Sequence, residues 1–477
     1  MLQFIKTSLV FGILLGICFG AYGNSLHHAF MIDDTVFSDD KIKNIKFLPN
    51  AFFYPSAGLS KVDNFVESEH YYRPFVYVIS LLSYLAFGDN PFGYHVLNLF
   101  LFAAMCLVVY VFVDLIFARK ALGLATSVLF AVHPINIFFV NYITSGIHSV
   151  RFICMFLSLI LFLKASQGLQ KTFCYFFSFI LFVVALFCHE ASIVFPFYII
   201  LVTIHYKKMD LKEAVLESRP YWFILSLYLC FRFYFTQLPS DTLQWGPNPI
   251  IYLSTVSKLI FLYVTKLFFP QNIVFYWKSP LLQGFNVFIW TGGLAALLLG
   301  WWRLIKVDQR GVASFCSSWF LIGFVPVIWA SHSHMADRLY GLILEPQWVT
   351  FASVGFFLYV AFTGIKLYSH WKKVFLLFLF LLVVLIAMVR QENLIWGDEY
   401  KYYFYWYQQL DPPPPPNYSW LGNISMRKKE YRQARYYFSK ALEEKPDAEI
   451  YNNLGFLDAQ QGLMDQAKKR NPFIGEK

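Results

Sequence analysis

Long apolar runs alternate with short polar stretches along most of the chain. A helix needs about 20 apolar residues to cross a bilayer, and the pattern predicts about eleven crossings. The predicted spans are residues 1–22, 92–117, 122–139, 147–163, 173–188, 191–204, 221–235, 285–302, 313–330, 348–363 and 374–389. Residues 75–87 are too few to cross and are predicted to lie in the interface. Residues 251–269, which two lysines interrupt, are predicted to be interfacial or re-entrant. The predicted fold class is all-α, a polytopic membrane protein.

The basic residues between the apolar runs indicate an orientation. If the N-terminus lies in the cytoplasm and residues 75–87 do not cross, the loops at 119–120, 207–208 and 303–310 all face the cytoplasm. That arrangement satisfies the positive-inside rule. It predicts a C-terminus in the periplasm or the ER lumen, for a protein of the bacterial inner membrane or the ER membrane. The first apolar run is predicted to be a retained helix, because no clear signal-peptide cleavage site follows it.

The composition changes after Arg390. Residues 391–416 form an aromatic and Pro-rich linker that ends in five consecutive prolines, a stiff spacer. Residues 417–477 have the small and apolar positions of tetratricopeptide repeats, namely Leu421, Gly422, Ala434, Phe438, Ala441 and Pro446. A second repeat opens at Tyr451 and is incomplete. One and a half repeats bury too little surface to be stable alone, so we expect this module to dock on residues 1–390, on a partner protein or on another copy.

Composition and charge exclude several classes of protein. The chain is 58% hydrophobic and only 14% charged, which a soluble fold of 477 residues could not accommodate. The net charge of +10 is spread between the apolar runs rather than collected in one patch, so nucleic acid is not a predicted partner. The seven cysteines lie in or beside apolar runs without CxxC spacing, which is typical of small core residues.

Ionisable side chains gather on the predicted non-cytoplasmic side, most of all in the first external loop, residues 23–91. Such residues at membrane boundaries mark functional sites more often than charges elsewhere. The candidate site residues are Asp33, Asp34, Arg73, His133, His189, Glu190 and Arg338. Carboxylates suit base catalysis on a hydroxyl, whereas arginines and imidazolium groups suit a phosphate. Together they indicate group transfer from a lipid phosphate.

The order of the motifs along the chain is the stronger signal. The motifs are Ile32-Asp33-Asp34, Tyr72-Arg73-Pro74, Asn90-Pro91-Phe92-Gly93-Tyr94-His95, Ala131-Val132-His133-Pro134, His189-Glu190 and Ala336-Asp337-Arg338-Leu339-Tyr340, followed by the repeat-like segment. In this order the chain resembles the transmembrane and tetratricopeptide-repeat glycosyltransferases of the GT-C superfamily, which are similar to protein O-mannosyltransferases. It departs from the eukaryotic members at His189, where they usually carry Lys. It departs again at 146–149, where they often have Gly-Arg-Ala-Asp.

The resemblance implies a polyprenyl- or dolichyl-phosphate sugar as donor and an inverting transfer to an acceptor hydroxyl, often a protein Ser or Thr. It implies an acidic base at Asp33 with Asp34 as its neighbour, and which of the two is the base stays open. It also implies Arg73, His189 and Arg338 as ligands of the donor phosphate, with Glu190 orienting His189 or the acceptor. The partners it implies are membrane lipid, the lipid-linked donor, a protein or glycan acceptor and a protein bound through the repeats. No cofactor besides the donor is expected.

Other interpretations of these residues remain open. His133 fits a helix-end histidine beside Pro134 as well as a substrate ligand. His332, His334 and Asp337 could bind a metal, although their spacing has no fixed geometry and nothing in the sequence requires one. The same polar groups would also suit a transporter of lipid-linked sugars or a non-catalytic scaffold. An enzyme with a lipid or glycan acceptor is a further alternative.

Overall fold

The computed structural model describes most of the chain as helix. The described residues are 2–31, 34, 42–53, 72–168, 170–235, 249–274, 277–279, 284–307, 311–333, 342–409, 416–444, 446–460, 462–463 and 465–467. The chain divides into two units, Met1–Gly397 and Asp398–Lys477. The predicted linker is therefore divided, because residues 391–396 continue a membrane helix and the aromatic stretch after Asp398 belongs to the second unit.

The first unit consists of helices and one small strand pair. The α-helices are α1 (Leu2–Tyr22), α2 (Leu48–Phe53), α3 (Pro74–Phe87), α4 (Pro91–Phe117), α5 (Lys120–Val132), α6 (Phe138–Asn141), α7 (Gly146–Ala165), α8 (Lys171–Cys188), α9 (Phe195–Val202), α10 (Leu211–Phe235), α11 (Pro249–Phe268), α12 (Phe285–Val307), α13 (Val312–Ser333), α14 (Thr350–His370) and α15 (Val374–Trp396). Strands β1 (Trp277–Ser279) and β2 (Leu342–Leu344) pair antiparallel, with Trp277 opposite Leu344. The all-α prediction holds apart from this three-residue ladder.

Seven helices in the described residues are long and apolar enough to cross a membrane, which indicates a multi-pass membrane protein. They are Thr7–Ser25, Pro91–Phe117, Ile143–Ala165, Lys171–Cys188, Phe285–Val307, Pro346–His370 and Val374–Trp396. An eighth crossing results if Lys120–Val132 and Pro134–Asn141, which meet at 65°, count as one broken span.

The prediction of about eleven spans is not confirmed. Helix α9 has only eight residues before a π-helical turn, Thr203–Lys207. Helix α10 carries several charges in its first half, and the apolar helical stretch Val312–Ile328 is shorter than the 18 residues that a crossing helix requires. The apolar helix Pro74–Phe87 is likewise short, as the sequence predicts for a segment that does not cross.

Aromatic side chains fill the centre of the first unit. Phe130 packs on Phe152 at 5.5 Å between ring centroids, Phe152 packs on Phe351 at 5.4 Å, and Phe351 stacks on Trp319 at 5.3 Å. These rings join α5, α7, α14 and α13. Gly355 lets α14 approach α13 closely, since a Cβ there would lie 2.6 Å from the Cys316 carbonyl oxygen. Helix α7 runs from this packed centre to the candidate site, since Phe152 directly follows Arg151.

The second unit is a small helical module. Its helices are α16 (Glu399–Tyr407), α17 (Tyr418–Arg427), α18 (Tyr431–Glu444) and α19 (Ala448–Gln460). Buried residues of α18 and α19 form its core, among them Ala434, Phe438 and Leu454. Gly422 of α17 contacts the Phe438 ring, where a Cβ would clash at 2.5 Å. Gly422, one of the small residues in the pattern, therefore lies where α17 and α18 pack closely.

Candidate functional site

An ion pair joins two of the predicted site residues, Arg73 and Glu190. The guanidinium donates from Nε to Glu190 Oε2 at 2.8 Å and from Nη2 to Oε1, so the contact is bidentate. Arg73 directly precedes α3 because Pro74 is favoured in a first helical turn and keeps the residue before it out of the helix. Glu190 lies in the first turn of a short 3-10 helix, Glu190–Val194, where the helix dipole favours a carboxylate. Both side chains are largely buried.

His189 occupies the N-cap position of the same 3-10 helix. Its Nδ1 accepts a hydrogen bond from the backbone N–H of Ala191 at 3.0 Å and lies 3.8 Å from Glu190 Oε2. Burial, and then the charge of Arg73, lower the pKa of His189 well below its ordinary value. The ring is therefore neutral near pH 7. Because Nδ1 accepts, the proton is on Nε2, so His189 offers a ligand one hydrogen bond but no charge.

A second arginine, Arg232 in the last turns of α10, approaches the same carboxylate. Its Nη1 lies 3.7 Å from Glu190 Oε2 and donates to Tyr228 Oη at 3.3 Å, one turn earlier on the helix. Burial alone would raise the pKa of the Glu190 carboxyl. The charge of Arg73, with a smaller contribution from Arg232, outweighs burial and holds that pKa well below its ordinary value. Glu190 is therefore ionised at neutral pH.

Helix α7 adds His148 and Arg151 to this group. The rings of His148 and His189 lie 5.0 Å apart between centroids. Arg151, three residues further along α7, is 5% exposed and lies within electrostatic range of Arg73 and Glu190. Its Nε is buried and has no hydrogen-bond partner within the described part of the chain. Because an unsatisfied buried N–H is costly, Arg151 Nε is a donor suited to a bound anion.

We call these six residues the arginine cluster. Its members are Arg73, His148, Arg151, His189, Glu190 and Arg232. Arginine stays protonated in proteins and only one member is acidic, so the cluster has an excess positive charge of about two before any contribution from its histidines. Excess buried positive charge is stabilised by an anionic ligand, and guanidinium groups match phosphate oxygens especially well.

Five aromatic side chains line the arginine cluster, and we call them the aromatic collar. Tyr72 stacks on Phe235 at 5.7 Å and meets Phe187 edge-on at 5.9 Å. Phe187 also contacts Tyr228 at 5.7 Å and Phe75 at 6.4 Å. Each ring is close in sequence to a charged member of the cluster, so apolar and cationic groups lie side by side. Such a combination suits a ligand with an anionic head and an apolar or ring-shaped body.

Asp34 is held at the entrance to α7. Its Oδ1 accepts from the backbone N–H of Thr144 at 3.0 Å and its Oδ2 from that of Met31 at 3.2 Å, and the side chain is 1% exposed. Asn98 holds the same loop, since its Nδ2 donates to the carbonyls of residues 142 and 143. Asp34 is therefore bound four residues before His148, at the end of α7 that carries two members of the arginine cluster.

His133 lies in a different environment. Its Nε2 is 3.1 Å from the Leu267 carbonyl oxygen, and its Nδ1 accepts from the Ile135 N–H at 3.2 Å. The ring packs on Phe357 at 5.1 Å. Both ring nitrogens of His133 therefore have backbone hydrogen-bond partners. The residue itself lies at the break between α5 and the turn that begins at Pro134. This geometry favours the helix-end role over a substrate ligand.

Two of the predicted site residues, Asp33 and Arg338, lie outside the described residues, as do His334 and Asp337. The structure brings together Arg73, His189 and Glu190, and it adds Arg232, which the sequence reasoning missed. One signal was present, because Arg232 interrupts the apolar run 221–235 and an ionisable residue in such a run marks a functional position. Arg151 gives the same signal, because it lies within the predicted span 147–163.

Metal binding finds no support among the described side chains. No group of three or more His, Cys, Asp or Glu residues in that part of the chain could hold an ion. The donor set of the arginine cluster, rich in guanidinium N–H groups, suits anions rather than cations.

Comparison with known proteins does not assign the chain to a family, since no protein-family model and no curated protein matches the sequence.

Proposed function

We propose that this protein is a membrane glycosyltransferase that moves a sugar, mannose or another hexose, from a polyprenyl- or dolichyl-phosphate donor to an acceptor hydroxyl. The arginine cluster carries the proposal. It provides three guanidinium groups beside the aromatic collar. The buried Nε of one of them, Arg151, has no hydrogen-bond partner among the described residues. The anionic head and isoprenoid body of such a donor match the guanidinium groups and the aromatic collar.

The charge of the cluster suits the direction of the reaction. The donor is a phosphodiester with one negative charge, whereas the released polyprenyl phosphate approaches two. Negative charge therefore grows on the phosphate as the bond between sugar and phosphate breaks. A preorganised cluster with about two excess positive charges binds the leaving group more strongly than the donor, which lowers the barrier.

The two carboxylates after α1 supply the other half of the chemistry. Asp33 or Asp34 takes the proton of the acceptor hydroxyl while its oxygen attacks the anomeric carbon from the face opposite the phosphate. The bond to the phosphate oxygen breaks in the same displacement, so the anomeric configuration inverts. Asp34 accepts two backbone hydrogen bonds, which stabilise its ionised form. That environment suits Asp34 as the fixed neighbour and Asp33 as the base.

The remaining features of the proposal come from the sequence. The acceptor is a protein Ser or Thr, and the reaction takes place in the periplasm or the ER lumen, on the side opposite the basic loops. Arg338 joins Arg73 on the donor phosphate. The second unit acts as a tetratricopeptide-like module that binds a protein, either the acceptor or an accessory partner. No cofactor other than the lipid-linked donor takes part.

Sugar transfer by the purified protein in detergent tests this function. We would supply radiolabelled polyprenyl-phosphate hexoses with a membrane and protein extract as acceptor, beside the Asp33→Asn, Asp34→Asn double variant. We expect label in the protein or glycan fraction with the wild type and none with the variant. Label that stays in the donor lipid with both proteins, across several sugars and with added divalent metal, would exclude the glycosyltransferase and favour a transporter or a scaffold.

Product inhibition tests the role of the arginine cluster within the same assay. Arg151→Gln removes a charge without leaving a carboxylate unpaired, and we expect it to weaken inhibition by polyprenyl phosphate about tenfold, which corresponds to about 1.4 kcal/mol. Arg73→Ala would leave the Glu190 carboxylate without its main ion-pair partner. The matched variant is therefore the double change Arg73→Gln, Glu190→Gln, which replaces both charges. We expect that variant to raise the donor KM. Unchanged inhibition and unchanged donor KM in these two variants would show that the arginine cluster does not bind the donor phosphate.

A further inference from the structure

The C-terminal end of α1 is capped by another helix, α15. The last carbonyl groups of a helix have no partner within that helix. Here Gly20 O accepts from Arg390 Nη1 at 2.8 Å, and Ala21 O accepts from Asn393 Nδ2 at 3.1 Å. The charge of Arg390 also suits the negative end of the α1 dipole. The place where α1 ends is therefore determined by α15, which lies some 370 residues away in the sequence.

Asn393 has a partner for each of its polar atoms. Besides the bond to Ala21, its Nδ2 donates to Asn24 Oδ1 at 2.6 Å, and its Oδ1 accepts from Asn141 Nδ2 at 2.7 Å. The side chain is 0% exposed. A leucine of similar size would fill this position, so packing alone does not require an amide. Because any displacement would leave a buried polar group unpaired, a fully satisfied amide specifies one arrangement of α1, α6 and α15.

The chain beyond α1 stays anchored as far as Asp34. His27 stacks on Phe92 at 5.0 Å, and Phe30 meets Tyr94 edge-on at 5.5 Å, so the first turn of α4 holds this segment. Asp34 then binds the loop before α7 through the Thr144 N–H. A displacement at the α1 cap would therefore affect the contacts of His27 and Phe30 and, a few residues further on, the anchored Asp34 carboxylate.

We propose that Asn393 is a positioning residue for the Asp34 carboxylate. This inference rests on the proposed glycosyltransferase function and extends it to a residue on the last helix of the first unit. Asn393 acts through the α1 cap, and it contacts none of the six members of the arginine cluster among the described contacts. Its loss should therefore displace the Asp34 carboxylate while leaving donor binding intact. A shift of about 1 Å in a catalytic group can cost roughly 100-fold in rate.

The test compares Asn393→Leu with two other variants in the full-length protein. Asn141→Leu removes one bond to Asn393 and an interaction with His28, but it leaves both bonds of the α1 cap in place, so it should have the smaller effect. Ser178→Ala is the matched control, because it removes buried hydrogen bonds to Ser158 and Tyr221 between α7, α8 and α10, far along the chain from the α1 cap. We would measure kcat, donor KM, Tm and backbone hydrogen exchange of residues 24–31.

We expect Asn393→Leu to lower kcat by about 10- to 100-fold with donor KM within about twofold, and to speed exchange at residues 24–31. Ser178→Ala should lose a similar amount of Tm with kcat nearly unchanged. Parallel losses of kcat in the two variants, or a change in donor KM instead of kcat, would overturn the proposal. If the wild type transfers no sugar, the proposed function fails, and the exchange comparison still decides whether Asn393 holds this segment.

Discussion

At the scale of single residues, Glu190 is the centre of the candidate site. It is the carboxylate that Arg73 and Arg232 share, and these two positive neighbours outweigh the effect of burial, so that the ionised form belongs to the folded state. The sequence identified Glu190 from its place on the predicted non-cytoplasmic side and from its His189 neighbour. It could not identify the partner, because Arg73 lies 117 residues earlier in the chain.

The pKa of Glu190 leads to a prediction about stability and pH. Its folded-state pKa lies well below the unfolded value of about 4.5, so its contribution to stability is complete above that pH and is lost as the pH falls through the folded value. We expect the wild type to unfold at a higher temperature than Glu190→Gln at pH 7. The difference should shrink as the pH drops below about 4.5.

Thermal unfolding of both proteins in the same detergent, from pH 7 down to pH 3.5, checks this prediction. Lys440→Gln is a suitable control, because Lys440 is exposed and pairs only with a residue on its own helix. A Tm difference between wild type and Glu190→Gln that stays constant over the whole range would mean that Glu190 has no depressed pKa.

At the scale of elements, the break between α5 and α6 shows how the His133-Pro134 motif shapes the fold. Val132 ends α5, the helix axis turns by 65°, and His133 pairs with the Ile135 N–H just after the break and with the Leu267 carbonyl of α11. Pro134 cannot donate a backbone hydrogen bond and so favours the break. The sequence could place a histidine and a proline at a helix end, but it could not show that a carbonyl of α11 would occupy the second ring nitrogen.

His133→Ala should therefore reduce stability without affecting the donor. The variant leaves the Ile135 N–H and the Leu267 carbonyl without their partner, at a cost of about 1–3 kcal/mol. We expect a lower Tm and a donor KM within about twofold of the wild type. A tenfold rise in donor KM at unchanged Tm would show instead that His133 binds substrate.

At the scale of the whole molecule, the boundary between the two units has a physical basis. The aromatic stretch that resembles a linker in sequence forms α16, which packs within the second unit. Tyr403 and Trp406 contact Trp420 at 4.8 and 5.3 Å, and Arg427 pairs with Glu399. Helix α16 therefore supplies apolar surface to the helices that follow it in the second unit.

This packing predicts different behaviour for two fragments. Residues 398–477 should be helical and unfold cooperatively, because α16 completes the apolar core. Residues 417–477, without α16, should show lower helicity and a broad transition. Circular dichroism with thermal unfolding of both fragments checks this, and Trp420→Ala in the longer fragment should lower its midpoint. Equal helicity and equal midpoints for the two fragments would mean that α16 contributes nothing to the unit.

The sequence by itself determined the membrane character of the protein, the positions of most long apolar helices and the small-residue helix crossing in the second unit. These features depend on local patterns, because a run of apolar residues must leave water whatever its neighbours are. The number of spans was harder to predict. Helix α9 is short, α10 contains charges and the apolar part of α13 is short, and the hydropathy of the sequence alone does not distinguish such segments from crossing helices.

The tertiary structure alone decided which ionisable residues meet. Arg73, Arg151 and Arg232 come from three helices or their boundaries, and only packing of α3, α7 and α10 against the Glu190 turn brings them to one carboxylate. The same holds for Asn393, whose amide caps a helix at the other end of the chain. Electrostatic and hydrogen-bonding partners depend on distances in space, and the local sequence pattern carries no information about those distances.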